Sequence, residues 1–239
     1  MMKPLDQLFA GAQQFYEPLK GKEWQEEDAI DYFSCCSATK ALRNLKQGLQ
    51  QAHPEAGIPY WRIRAWELSW WQPVSLALMC VYHLKQVPDT LASIQQYQYH
   101  NYIAGYTLRD GTWLIGSLEA RIQSAASQLA LLFDPLVNSH TDEFKGKSTL
   151  YKALLADLMM GYLTTATQNI PKYNPKKIQE DYLKWSSPMA LPLDPIDRLE
   201  RQGHQIIFHR RTCCLTFRCQ KNDLCNNCPK QKKSQPRHV

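Results

Sequence analysis

The chain has no apolar stretch long enough to span a bilayer. Its longest strongly apolar run, Val74 to Leu84, already contains Ser75 and His83 and falls well short of the ~20 residues that a membrane helix needs. No secretory leader is expected either: Met1-Met2-Lys3-Pro4-Leu5-Asp6 puts a proline and an acid where an apolar core would begin. The 239 residues hold no internal repeat and no long low-complexity segment. With 44% hydrophobic and 21% charged residues, composition is that of an ordinary globular chain. A cytoplasmic protein with no transmembrane segment is expected, built as one domain or as one domain with a small appendage.

Other absences narrow the chemistry. Gly146-Lys147-Ser148-Thr149 looks like the end of a phosphate-binding loop, but Thr141 stands where the first glycine belongs, so nucleotide binding is not expected. The seven histidines are spread out without helical ligand spacing; only His204 and His209 lie near the clustered cysteines. Acidic residues almost vanish towards the end. Residues 201–239 carry nine Lys/Arg against the single Asp223, a charge of +8 that leaves −2 for residues 1–200. Such asymmetry marks a region that meets something negative. A solvated tail explains Lys230 to Val239, whereas the basic residues at 210–221 interleave with cysteines and invite a more local reading.

Hydrophobic spacing predicts helices over residues 23–51, 74–86, 117–133, 148–166 and 176–185. Asp110-Gly111 between aromatic runs predicts a β-hairpin, and Ser148 or Thr149 is placed to cap the helix that starts there. Pro188, Pro192 and Pro195 suggest an irregular connector at 186–196, after which 205–208 and 215–217 are β-prone. Trp61, Trp66, Trp70 and Trp71 belong to the expected core, although such amphipathic rings also suit a pocket for an organic ligand. The fold class is α+β, mainly α-helical, with a small β-hairpin or sheet and a C-terminal cysteine-rich module. The expected division is a mainly helical unit at 1–196 and a cysteine module with a basic tail at 197–239.

What the chain does have is cysteine in one place. Five of its eight cysteines, Cys213, Cys214, Cys219, Cys225 and Cys228, fall within sixteen residues, while Cys35, Cys36 and Cys80 are scattered earlier and expected to pack ordinarily. In a reducing compartment clustered cysteines read as metal ligands or redox thiols rather than disulfides. The skeleton is Cys213-Cys214, ten residues, Cys225-x-x-Cys228. Four thiolates are what a [2Fe–2S] rhomb requires, two on each iron. Adjacent cysteines in extended backbone point to opposite faces, so both serve one cluster only if the chain turns there. Structural zinc sites normally use two separated Cys-x-x-Cys arms, which this segment lacks.

This motif, with Arg210-Arg211 before it and Leu215, Phe217 and Arg218 after the pair, resembles the signature of the FhuF-like ferric-siderophore reductase family. The resemblance covers about residues 210–229. It implies that Cys213, Cys214, Cys225 and Cys228 ligate a [2Fe–2S] cluster, with Cys219 a fifth cysteine inside the loop. The implied activity is one-electron reduction of ferric iron held by a siderophore, often of the hydroxamate type, with release of ferrous iron in the cytoplasm. The electron donor would be a ferredoxin or an NAD(P)H-dependent reductase. Arg210, Arg211, Arg218 and Lys221 are expected to raise the cluster potential and to attract an acidic donor. The runner-up is a zinc-stabilised nucleic-acid-binding protein, motivated by the same basic, cysteine-rich end; no nucleic-acid partner is expected on the first reading.

Overall fold

A computed structural model of the chain describes residues 2–25, 32–34, 38–220, 222–225 and 227–230. Cys35, Cys36 and Lys221, for which the sequence raised expectations, lie outside the described residues, as does part of the helix expected over 23–51. In chain order the elements are α1 (Pro4–Phe15), β1 (Gly21–Glu23), β2 (Tyr32–Phe33), α2 (Ala38–Ala52), α3 (Gly57–Met79), β3 (Val87–Pro88), β4 (Gln95–Tyr99), β5 (Tyr102–Leu108), β6 (Trp113–Leu114), α4 (Leu118–Phe144), α5 (Ser148–Thr167), α6 (Pro175–Ser186), β7 (Leu199–Gln202) and β8 (Gln205–Phe208). The chain is therefore mainly helical with small sheets, the expected α+β class. No helix among the described residues is long and apolar enough to cross a membrane.

Helix α3 runs through the middle and packs on α2, α4 and α5. Its second half, from Leu68 to Met79, is buried on nearly every side, and Trp66, Trp70, Val74 and Leu76 are fully buried, as expected of a helix segment with neighbours all round. Pro73 does not end it: the helix expected to start at residue 74 is already under way from Gly57. A proline strips the carbonyl four residues earlier of its N–H partner. Here that carbonyl belongs to Ser69, and Gln96 Nε2 on β4 donates to it at 2.9 Å. Pro135 likewise sits inside α4 rather than stopping it. The carbonyl it frees is that of Leu131, a residue on the solvent face, where water can bond it.

A four-stranded sheet in the order β1-β5-β4-β2 lies against α3. Strands β4 and β5 are antiparallel and β1 runs parallel to β5. Trp71 Nε1 donates to the Ile103 carbonyl at 2.8 Å, fastening helix to sheet. The hairpin turn is at His100-Asn101, not at Asp110-Gly111 as expected. Asp110-Gly111 is still a turn, held by Asp110 Oδ1 accepting from the Gly111 N–H and Trp113 Nε1. It leads β6 to β3, however, and not back onto β5. Gly48 of α2 meets the hairpin turn so closely that a Cβ there would strike the His100 carbonyl.

Two further expectations need correction. Residues 21–23 are strand and α2 begins only at Ala38, so the helix expected over 23–51 is shorter; Phe33 packs from β2 instead. Helix α5 begins at Ser148, but neither Ser148 nor Thr149 caps it, Lys147 being the cap residue with no side-chain bond.

Candidate metal centre and the cavity beside it

Strands β7 and β8 form a hairpin whose Phe208 is buried in the main core. Beyond it the described residues have no regular structure except a single 3₁₀ turn, Thr216–Arg218, where 215–217 had been expected to be extended. Polar tethers shape this segment. Asp157, buried on α5, accepts through one oxygen, Oδ2, from the Arg211 N–H (2.9 Å), the Thr212 N–H (2.5 Å) and the Thr212 hydroxyl (2.6 Å). Arg210 reaches Glu67 of α3 at 2.7 Å. Arg218 donates to the Ala56 carbonyl at 3.2 Å, and the Gln220 N–H donates to Glu55 at 3.0 Å.

These tethers bring the four motif cysteines together. Leu215 takes a left-handed conformation, φ 57°, so the chain turns sharply just after the adjacent pair. Cys214 Sγ lies 3.1 Å from Cys225 Sγ, and among the other cysteines it is Cys228 that acts most strongly on the Cys213 thiol, helping to raise it. The neighbours Cys213 and Cys214 thus belong to different sulfur pairs. The Cys225–Cys228 turn is closed by the Cys228 N–H donating to the Cys225 carbonyl at 2.9 Å.

The sulfurs differ in electrostatics. Burial pushes the Cys214 thiol up, but the Thr216 hydroxyl at 3.1 Å, the Thr216 N–H and the Cys225 thiol outweigh it, and Cys214 ends below the ordinary cysteine value. Burial and the hydrogen bond to Cys214 raise Cys225 to about 11. Cys213 is raised, chiefly by burial, against a bond from the Leu215 N–H. The Arg210 guanidinium loses to burial but gains more from Glu67, and it faces both Cys214 and Cys225. Cys214 is the sulfur best prepared to be a thiolate.

Two close sulfur pairs suit a two-iron, two-sulfide group, in which each iron takes two thiolates. A single zinc ion needs all its donors around one point. Among the described residues, the set of three ligand atoms lying within 4.8 Å of one another is found elsewhere, at His53, Glu55 and Cys219.

The remaining expected site residues separate. Arg210 is turned inward onto Glu67. Arg211 faces outward and pairs with Asp194 at 2.6 Å. Arg218 is spent on the Ala56 carbonyl. His209 pairs with Glu200 at 2.8 Å, and His204 is exposed at the hairpin turn. Cys219 is buried against Ala56 and Tyr60, and Cys80 is wholly buried in the main core.

A cavity of about 670 Å³ opens beside the cysteine loop, within the usual range for small-ligand sites. Tyr16, Trp71, Tyr102 and Tyr162 give it aromatic walls, and Arg64, Glu67 and Arg210 supply charge. Asn227, between Cys225 and Cys228, also lines it. Sequence reasoning missed Asp157 and Glu67. The signal was available: each is a lone acid inside a strongly apolar helical run, and acids are seldom buried unless something pairs with them. No protein-family model matches the chain, and no solved structure matches it.

Proposed function

We propose that the protein is a ferric-siderophore reductase whose cysteines Cys213, Cys214, Cys225 and Cys228 hold a [2Fe–2S] cluster, with Cys214 and Cys225 on one iron and Cys213 and Cys228 on the other. The observation that carries the reading is the meeting of two sulfur pairs with an aromatic-walled cavity at Arg210 and Asn227. Such a cluster supplies a one-electron couple when bound. The helical unit at 1–196 contributes most of the cavity and the module at 197–239 contributes the thiols. Release of ferrous iron would take place in the cytoplasm, with a ferredoxin or an NAD(P)H-dependent reductase as donor.

The chain's own residues have distinct tasks on this reading. Trp71, Tyr102 and Tyr162 offer flat apolar faces to the organic frame of a hydroxamate chelate. Arg64 and Arg210 face its anionic oxygens, and Glu67 holds Arg210 in place. Those hard oxygens bind Fe(III) far more tightly than Fe(II), so gain of one electron loosens the chelate and frees the ion. No acid, base or nucleophile is required. Arg211 and Arg218, exposed at the outer side of the loop although each already has one partner, in Asp194 and the Ala56 carbonyl, are the groups that would meet an acidic donor.

The test is anaerobic reduction of the purified chain, followed by mixing with a ferric hydroxamate siderophore and a ferrous-iron chelator. One ferrous ion trapped per electron delivered is expected. A chain that holds iron and sulfide yet leaves every ferric siderophore intact would overturn the substrate; a chain that holds stoichiometric zinc instead would overturn the cofactor.

A further inference from the structure

Cys219 is not a spare ligand of the loop. It is 3% exposed and packs with Ala56 and Tyr60 in a small apolar cluster apart from the main core. Its sulfur, one ring nitrogen of His53 and one carboxylate oxygen of Glu55 all lie within 4.8 Å of one another. They come from two segments far apart in sequence, the bend between α2 and α3 and the end of the 3₁₀ turn in the cysteine loop.

The trio is held from several sides. Trp61 Nε1 donates to the His53 carbonyl at 2.9 Å. The Gln220 N–H donates to Glu55 Oε1, and Arg218 grips the Ala56 carbonyl. The Cys219 N–H donates to the Thr216 carbonyl at 3.0 Å. The His53 ring stands edge-on to Tyr60, centroids 5.6 Å apart. His53 Nδ1 and Glu55 Oε1 are 3.8 Å apart, too far for a good hydrogen bond. It is near the ~3.4 Å that separates two donors bound at about 2.1 Å on one tetrahedral ion. Cys219 is closed off from solvent while His53 and Glu55 are partly open to it, so an ion could enter over the imidazole and carboxylate.

We propose that His53, Glu55 and Cys219 form a mononuclear site for a borderline divalent cation, ferrous iron foremost, distinct from the four-cysteine centre. Imidazole, carboxylate and thiolate together suit Fe(II), Co(II) or Zn(II) and are a poor match for calcium or magnesium. Three protein donors leave a fourth position open. The site also has a physical link to the cavity. Tyr60, which touches the trio, shares a face of α3 with Arg64 and Glu67 at helical spacing, and both of those line the cavity. Four residues of helix advance about 6 Å, so an ion leaving the cavity has a short path to softer ligands. That the cation is the ferrous product rests on the reductase reading; the site itself does not.

Cobalt(II) is the probe, added anaerobically to the full chain carrying its own metal content. One equivalent is expected, with a thiolate-to-cobalt charge-transfer band in the near ultraviolet that ferrous iron or zinc displaces. Cys219→Ser should abolish the band. His53→Gln and Glu55→Gln, which keep polar side chains at partly solvent-facing positions and, in the second, an oxygen for the Gln220 N–H, should each weaken cobalt binding at least tenfold. In a chain whose loop thiols are occupied by the cluster, absence of the band in the unaltered chain, its survival in Cys219→Ser, or unchanged affinity in His53→Gln would overturn the site. If the chain carries no cluster, the loop thiols will also take cobalt. Cys219→Ser must then remove one of two equivalents, so the site would stand while the reductase reading fell.

Discussion

In the helical body Trp66, Trp70 and Tyr151 are fully buried in one continuous apolar cluster, to which, among the described residues of the loop at 209–230, only the partly buried Leu215 is added. The body is held by burial, which is non-directional and spread over many residues. The loop is held by directed bonds from Asp157, Glu67, Glu55 and the Ala56 carbonyl. Damage should therefore spread differently. A cavity cut in the body lowers the stability of the whole chain, whereas loss of a tether loosens the sulfur geometry first.

The largest expected effect is in the body. Trp66→Ala should cost about 4 kcal/mol of unfolding free energy, read by denaturant titration, while the metal content of the protein that remains folded stays unchanged. Loss of metal at mild destabilisation would blur the contrast between the two regions.

Acid probes the same core through His140. Burial holds its pKa down to about 3 from the ordinary 6.5. Ser69 gives its hydroxyl proton to the Ala65 carbonyl and lies 3.0 Å from His140 Nε2, which puts the imidazole proton on that nitrogen. The unfolded chain takes up a proton near pH 6.5 and the folded chain does not, so this contribution is complete above that value and drains away as pH falls towards 3. By pH 4.5 the loss amounts to about 3 kcal/mol. His140→Gln should flatten the acid side of the stability profile; an unaltered slope would remove His140 as its cause.

In the loop, Asp157→Asn weakens three bonds that converge on one carboxylate oxygen. A loss of about 2 kcal/mol is expected, seen as faster amide exchange at Arg211 and Thr212 and as lower metal occupancy. Smallest is Arg210→Gln, which withdraws a positive charge facing Cys214 and Cys225. The midpoint potential should drop by roughly 60 mV, a tenfold change for one electron; an unmoved potential would mean that Arg210 serves only the cavity.

The same contrast explains what could be read from sequence. Helix spacing located α5 and α6 nearly to the residue because an amphipathic or apolar face declares itself locally. Pro73 and Pro135 misled because their cost is met at a distance, by Gln96 for one and by solvent for the other. The Asp110-Gly111 turn was recognised, but its partner strand was not, since pairing is decided by tertiary context. The cysteine motif was conspicuous, yet the split of Cys213 and Cys214 between two pairs depends on the left-handed Leu215, which nothing in the residue itself announces. Cys219 was visible as an extra cysteine, but His53 and Glu55 lie more than 160 positions away along the chain.

Analysis of iron and acid-labile sulfide in the anaerobically purified chain tests the central claim most directly. Two irons and two sulfides per chain are expected, lost when Cys213, Cys214, Cys225 and Cys228 are replaced together and retained in Cys219→Ser. A chain free of inorganic sulfide, or one that keeps its iron and sulfide without those four cysteines, would contradict the account.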